Sequence, residues 1–215
     1  MTKNHLIPTF LFVLFACQQI EPEFSCNPVI NEFVIENREE LSQVTVEELT
    51  SYEIELQRAI FASWNYQKKR SAWIEKLSYV LNNGTFTQYE RDHICFLIQH
   101  IDEGYFMDEN IRENLISRSL FAQKWINHAM DELGWPEDFV AFMVYRLYLE
   151  HSQLEAELSE LRSLGSGITI NSEGNCDCNQ SADFCGTIDC RPSNCTTTEK
   201  GCGWLLSMEC DGNCY

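Results

Sequence analysis

Eight of the chain's 11 cysteines, Cys176, Cys178, Cys185, Cys190, Cys195, Cys202, Cys210 and Cys214, lie in the last 40 of its 215 residues. Their spacing is Cys-x-Cys-x6-Cys-x4-Cys-x4-Cys-x6-Cys-x7-Cys-x3-Cys. Cysteines this dense in so short a stretch signal a disulfide framework. Zinc also takes paired thiolates, but the irregular spacing and the export signal described below favour oxidation. About forty residues bury too little apolar surface to fold without covalent help. Closing a loop of about 15 residues contributes roughly 3 kcal/mol in the chain-entropy account, so four bridges suffice for a nearly coreless module. Cys176 and Cys178 are too close to pair with each other, and the spacing does not choose among the remaining connectivities. Phe184, Ile188, Trp204, Leu205 and Leu206 are the module's few apolar groups. They can form either a miniature core or an exposed contact patch for a target.

Other chemistry is sparse. Glu90 and His93 have the i, i+3 spacing with which a helix offers two ligands to a di-iron centre, but the chain lacks the second pair such a centre needs. No metal and no cofactor is therefore expected. His151 falls on an apolar stripe and reads as a core histidine. There is no G-x-S-x-G elbow, phosphate loop or H-E-x-x-H, and oxidised cysteines are not nucleophiles. The chain is not expected to be an enzyme. Its net charge of -18 and pI near 4.5 exclude a nucleic-acid surface, which needs Lys and Arg to displace counterions. They also oppose electrostatic attraction to anionic lipid.

Export is written at the N-terminus. Lys3 precedes an apolar run, Leu6 to Ala16, that is too short to span a bilayer and reads as a signal peptide over residues 1–16. Leu14-Phe15-Ala16-Cys17-Gln18 has the form of a lipobox, in which Cys17 is lipidated and anchors the mature chain to the membrane. Residues 17–44 read as a tether. Cys26 within it either pairs with Cys95 or leaves Cys95 as a buried thiol on a helix.

Residues 45–164 have helical periodicity throughout, which gives a mainly α fold. A bundle of about five helices is followed by a small, irregular disulfide-rich module. Thr45 with Glu48 and Thr87 with Glu90 are capping boxes that open the first and third helices. The second presents Trp73, Leu77 and Val80 and ends at Gly84, expected in the left-handed conformation. Asp108 caps a fourth, which ends at Gly134. Pro136 opens a fifth, where Val140, Val144, Leu147, His151, Leu154, Leu158 and Leu161 form a heptad seam. Helix 136–164 therefore either packs on its neighbours or forms a homodimer. Residues 165–175, starting Gly165-Ser166-Gly167, are a linker, and residues 176–215 are the cysteine module.

Within that module, Asn175-Cys176-Asp177-Cys178, Ser181-Ala182-Asp183-Phe184-Cys185, Gly201-Cys202-Gly203-Trp204 and Gly212-Asn213-Cys214-Tyr215 resemble fulvocin C, a disulfide-rich bacteriocin. The chain is similar to the bacteriocin fulvocin C-related proteins. The resemblance implies an exported, bacteriocin-like precursor whose C-terminal peptide is released to act on the envelope of competing bacteria, with the bundle as pro-region. Residues 176–215 carry six acids against Arg191 and Lys200, a net of -4, which suits a receptor-directed mechanism better than bilayer disruption. The alternative is an unprocessed surface lipoprotein whose stapled tail is a binding or adhesion module.

Overall fold

A computed structural model describes residues 24–25, 27–147, 178–180, 184–185, 188–192 and 198–214. The chain is mainly helical, with a small stranded, disulfide-bonded C-terminal region. The helices are α1 (Pro28–Glu36), α2 (Arg38–Leu41), α3 (Val46–Leu49), α4 (Ile54–Ser63), α5 (Tyr66–Asn83), α6 (Gln88–His100), α7 (Asp108–Glu113), α8 (Leu115–Asn127) and α9 (Glu137–Tyr145). A π-helical turn, His128–Glu132, extends α8.

Local chemistry sets many boundaries. Asn27 accepts from the Val29 and Ile30 amides and Pro28 occupies the first turn, so α1 begins inside the segment read as a tether. Val34 of α1 and Leu41 of α2 are buried in the core, so residues 28–41 are part of the folded body. Both capping boxes form: the Thr45 and Thr87 amides donate to Glu48 and Glu90 at 2.7 Å each. The first expected helix breaks after Leu49. There the Thr50 and Ser51 hydroxyls donate to the Glu47 and Glu48 carbonyls at 2.7 Å, competing with the helical ladder. Gly84 is extended rather than left-handed, and glycine is needed for space, since a Cβ there would lie 2.2 Å from the Phe86 ring. Gly134 does take a positive φ, +67°. Met107, not Asp108, stands at the N-cap position, Asp108 lies in the first turn, and the fourth expected helix is interrupted at Asn114.

The centre is α9, in which every residue from Phe139 to Tyr145 is buried, the pattern of a helix enclosed on all sides. Val140, Val144 and Leu147 of the expected seam are therefore buried in the chain's own interior. The chain is no longer helical at Arg146. Seam residues 151–161 lie outside the described residues.

The 18-residue helix α5 binds this body together with basic side chains. Lys68 donates to the carbonyls of Ser42 and Val44, Lys69 to Ala62 near the end of α4, and Arg70 to Ile101 and Asp102 just beyond α6. Lys76, fully buried, donates to the carbonyls of Phe142, Met143 and Arg146 at the end of α9 and lies over the Trp73 and Phe142 rings. Cations at helix C-termini satisfy orphan carbonyls and meet the negative end of the helix dipole.

The tail forms two small antiparallel sheets. β1 (Phe184–Cys185), β2 (Ile188–Pro192) and β5 (Gly212–Cys214) pair in the order β1-β2-β5, and β3 (Thr198–Cys202) pairs with β4 (Met208–Cys210). The hydrophobic core runs continuously from the helices into this region through Trp204, Leu205, Leu206 and Met208. Replacing Lys76 by Met should remove its hydrogen bonds to the α9 carbonyls from a buried site and cost about 2–3 kcal/mol of stability in urea unfolding followed by circular dichroism. An unchanged midpoint would show that this clamp contributes nothing.

Candidate functional site

The C-terminal region meets the helices through a short hairpin tip. Between β3 and β4 the chain makes a 3-10 turn, Trp204–Leu206, preceded by Gly201 at φ +113° and Gly203 at φ +67°. Met208 packs so closely over Gly203 that a Cβ there would lie 2.7 Å from its side chain. Leu205 and Leu206 both hold φ +54°, a left-handed conformation that costs roughly 1–2 kcal/mol for each residue bearing a Cβ. Only strong tertiary contacts keep two such residues in sequence.

Those contacts are made with the bundle. Trp204 is fully buried, its ring edge-on to Trp125 at 5.6 Å and to Phe121 at 6.2 Å. Its indole N-H donates to the Tyr105 hydroxyl at 2.9 Å, and the Trp73 indole donates to the Leu205 carbonyl at 3.0 Å. Arg118, buried, lies 3.7 Å above the Tyr105 ring, donates to the Tyr105 carbonyl and reaches the Ser207 hydroxyl at 3.3 Å. Burial pushes the Tyr105 hydroxyl above its ordinary pKa, so it stays protonated beside the guanidinium, although Arg118 itself pulls the other way.

Trp204, Leu205 and Leu206 are thus interior residues that seat the tail on the bundle. The reading of them as an exposed target patch is corrected: three adjacent apolar groups in a nearly coreless module find their burial against the helices. Phe184 and Ile188 stand in β1 and β2, with Ile188 opposite Cys185.

Disulfides hold the tip from behind. Cys202–Cys210 closes the β3–β4 hairpin, and Cys178–Cys190 ties β2 to the segment that bridges to Gly212. Their partners are 8 and 12 residues apart respectively, each bridge removing about 2.5–3 kcal/mol of chain entropy from the unfolded state. Cys185 and Cys214 lie in β1 and β5. Cys17, Cys26, Cys176, Cys195 and His151 lie outside the described residues. Cys95 is a half-buried free thiol, so the bridge to Cys26 is not made.

A second feature surrounds His93. An open cleft of about 600 Å³ is lined by Thr87, Tyr89, Glu90, Asp92, His93, His128, Glu132 and Leu133. The His93 ring stacks on Trp125 at 4.4 Å, and its Nε2 lies 3.1 Å from the Trp125 carbonyl, while the Trp125 indole donates to the His93 carbonyl at 3.2 Å. A carbonyl only accepts, so neutral His93 carries its proton on Nε2 and keeps a lone pair on Nδ1. Burial, then the neighbouring His128, pulls the His93 pKa down to about 4, and the Trp125 carbonyl offsets this only partly. The Glu90 carboxylate serves its capping box and also accepts from the Trp135 indole at 2.8 Å. No group of three His, Cys, Asp or Glu among the described residues could hold a metal.

Compared with family models, curated proteins and solved structures, the chain matches none.

Residue type gave no sign of the Trp73, Tyr105 and Arg118 cradle, because its members are far apart in sequence and each carries a polar group. The Gly-Cys-Gly-Trp-Leu-Leu run did hold a usable signal: two glycines beside a cysteine mark a tight turn, and the apolar triplet after it needs a cover.

Trp204→Ala should destabilise the whole chain by about 3–5 kcal/mol, with the helical circular-dichroism signal and the tail's protease resistance lost in one transition. Two separate transitions would mean that the tail folds on its own. Acid should weaken the fold through His93. The unfolded chain takes up this proton near pH 6.5 and the folded chain only near 4, so stability falls as pH drops through that window and is fully present above it. A His93→Gln variant should show a flatter stability profile between pH 6.5 and 4; an identical slope would remove His93 as the cause.

Proposed function

We propose that this chain is an exported envelope protein, anchored by lipid on Cys17, that works as one intact body with its cysteine-rich tail presented as a disulfide-stapled binding module. The observation that carries this reading is the burial of Trp204 and Leu205 within the helical core. A tail that supplies core residues is poorly suited to leave as a free peptide, since its departure would open a cavity in the bundle. Oxidised cysteines at two bridges accord with an oxidising compartment outside the cytosol. No helix among the described residues is long and apolar enough to cross a membrane, and a lipid on Cys17 would supply the attachment.

The tail motifs favour a second reading, a bacteriocin-like precursor. Here the bundle is a pro-region that masks the Trp204–Leu206 turn, the linker at 165–175 is cleaved, and the peptide acts on the envelope of competing bacteria. Release then requires two events: backbone cleavage and withdrawal of the turn from its cradle.

Non-reducing intact-mass analysis of membrane and medium fractions separates the two. The first reading expects one acylated chain beginning at Cys17, ending at Tyr215 and retained with the membrane. A species in the medium that starts near Gly167 to Asn175 and lacks eight hydrogens would overturn it and establish the processed peptide.

A further inference from the structure

The cleft beside His93 has the chemistry of a binding site. Its polar lining is rich in acceptors: Glu90, Asp92 and Glu132 contribute carboxylates, His93 and His128 contribute imidazoles, and no Lys or Arg takes part. Asp92, His128 and Glu132 are solvent-exposed. Acidity alone would describe any part of the surface of a chain with net charge -18. His93 is what distinguishes this place.

The His93 ring is only 7% exposed, stacked on Trp125 and fixed through Nε2. Its Nδ1 has no hydrogen-bond partner among the described residues, and the ring forms part of the cleft wall. Nδ1 is not sealed from solvent, and holding an open acceptor in one orientation prepares it for a donor brought by a ligand. The His128 ring lies 4.8 Å away, centre to centre.

The backbone is compatible with a positive guest. The cleft lies at the C-terminal end of α8 and its π-helical extension, where the carbonyl end of the helix dipole is negative. The positive N-terminal end of α6 on the opposite side is already met by the Glu90 carboxylate in its capping box. π-Turns of this kind occur disproportionately at functional sites. Among the described residues no three His, Cys, Asp or Glu converge here to hold a bare metal ion.

We propose that this cleft binds a protonated organic amine, one N-H donating to His93 Nδ1 and the positive charge facing Glu132 and Asp92. The exposed ring of Tyr89 and the side chain of Leu133 offer apolar contact to the carbon skeleton. The proposal is independent of whether the tail is released.

Spermidine titrated into the full-length, oxidised protein tests it. Binding should saturate at one equivalent, persist in about 0.15 M salt, where diffuse attraction to an acidic surface is largely screened, and shift the nitrogen resonance of His93 Nδ1. Glu132→Gln, at an exposed position, should keep the helical spectrum and weaken binding by about tenfold, the scale of one charge-assisted hydrogen bond. Binding that disappears in salt, is unchanged in Glu132→Gln, or leaves the His93 resonance in place would overturn the proposal. So would a His93 shift produced by zinc chloride and not by spermidine, which would make the site a metal centre.

Discussion

Trp204, Leu205 and Leu206 cannot be hidden inside a module of about forty residues that has almost no other apolar side chains. Most of the arrangement follows from that constraint. The hairpin tip adopts two successive left-handed leucines, a conformation that two preceding glycines and the Cys202–Cys210 bridge help to enforce. In return, an indole and two leucines enter the helical interior, each contributing on the order of 1.5–3 kcal/mol when fully buried. Hydrogen bonds from Trp204 to Tyr105 and from Trp73 to Leu205 fix the depth and orientation of the tip, because burying an indole N-H without an acceptor would offset much of the hydrophobic gain.

The same economy governs charge. The chain has 15 Lys and Arg against 33 Asp and Glu, yet Lys69, Lys76 and Arg118 are buried. They donate to backbone carbonyl oxygens: Lys69 at α4, Lys76 at α9 and Arg118 at Tyr105 in the loop before α7. Short helices have a large share of unpaired carbonyls, so a body built from many short helices needs internal donors. Aromatic faces beneath Lys68, Lys76 and Arg118 give these cations a further favourable surface. Trp73 and Lys76, three residues apart on α5, therefore grip the tail and the central helix from a single element.

The sequence by itself determined what depends on neighbours along the chain. Thr45 with Glu48 and Thr87 with Glu90 are capping boxes because both partners lie within one turn. The 3.6-residue period of Trp73, Leu77 and Val80 identifies the buried face of α5 for the same reason, and the cysteine density marks a disulfide region without revealing its pairs. Tertiary structure decided the rest. Residues 28–41 look like a polar tether until Val34 and Leu41 meet the core. The regular spacing of Val140, Val144 and Leu147 suggests a one-sided seam, yet α9 is enclosed on every side, because heptad spacing records which positions are apolar and not how many neighbours surround them. Trp204 could equally have been a surface anchor or a core residue; Tyr105, Trp73 and Trp125, remote in sequence, settle which. In sequence His93 stands out only for its i, i+3 spacing from Glu90. Only the Trp125 carbonyl, 32 positions away, fixes its proton on Nε2 and leaves Nδ1 as an acceptor, since long-range packing leaves no local pattern to read.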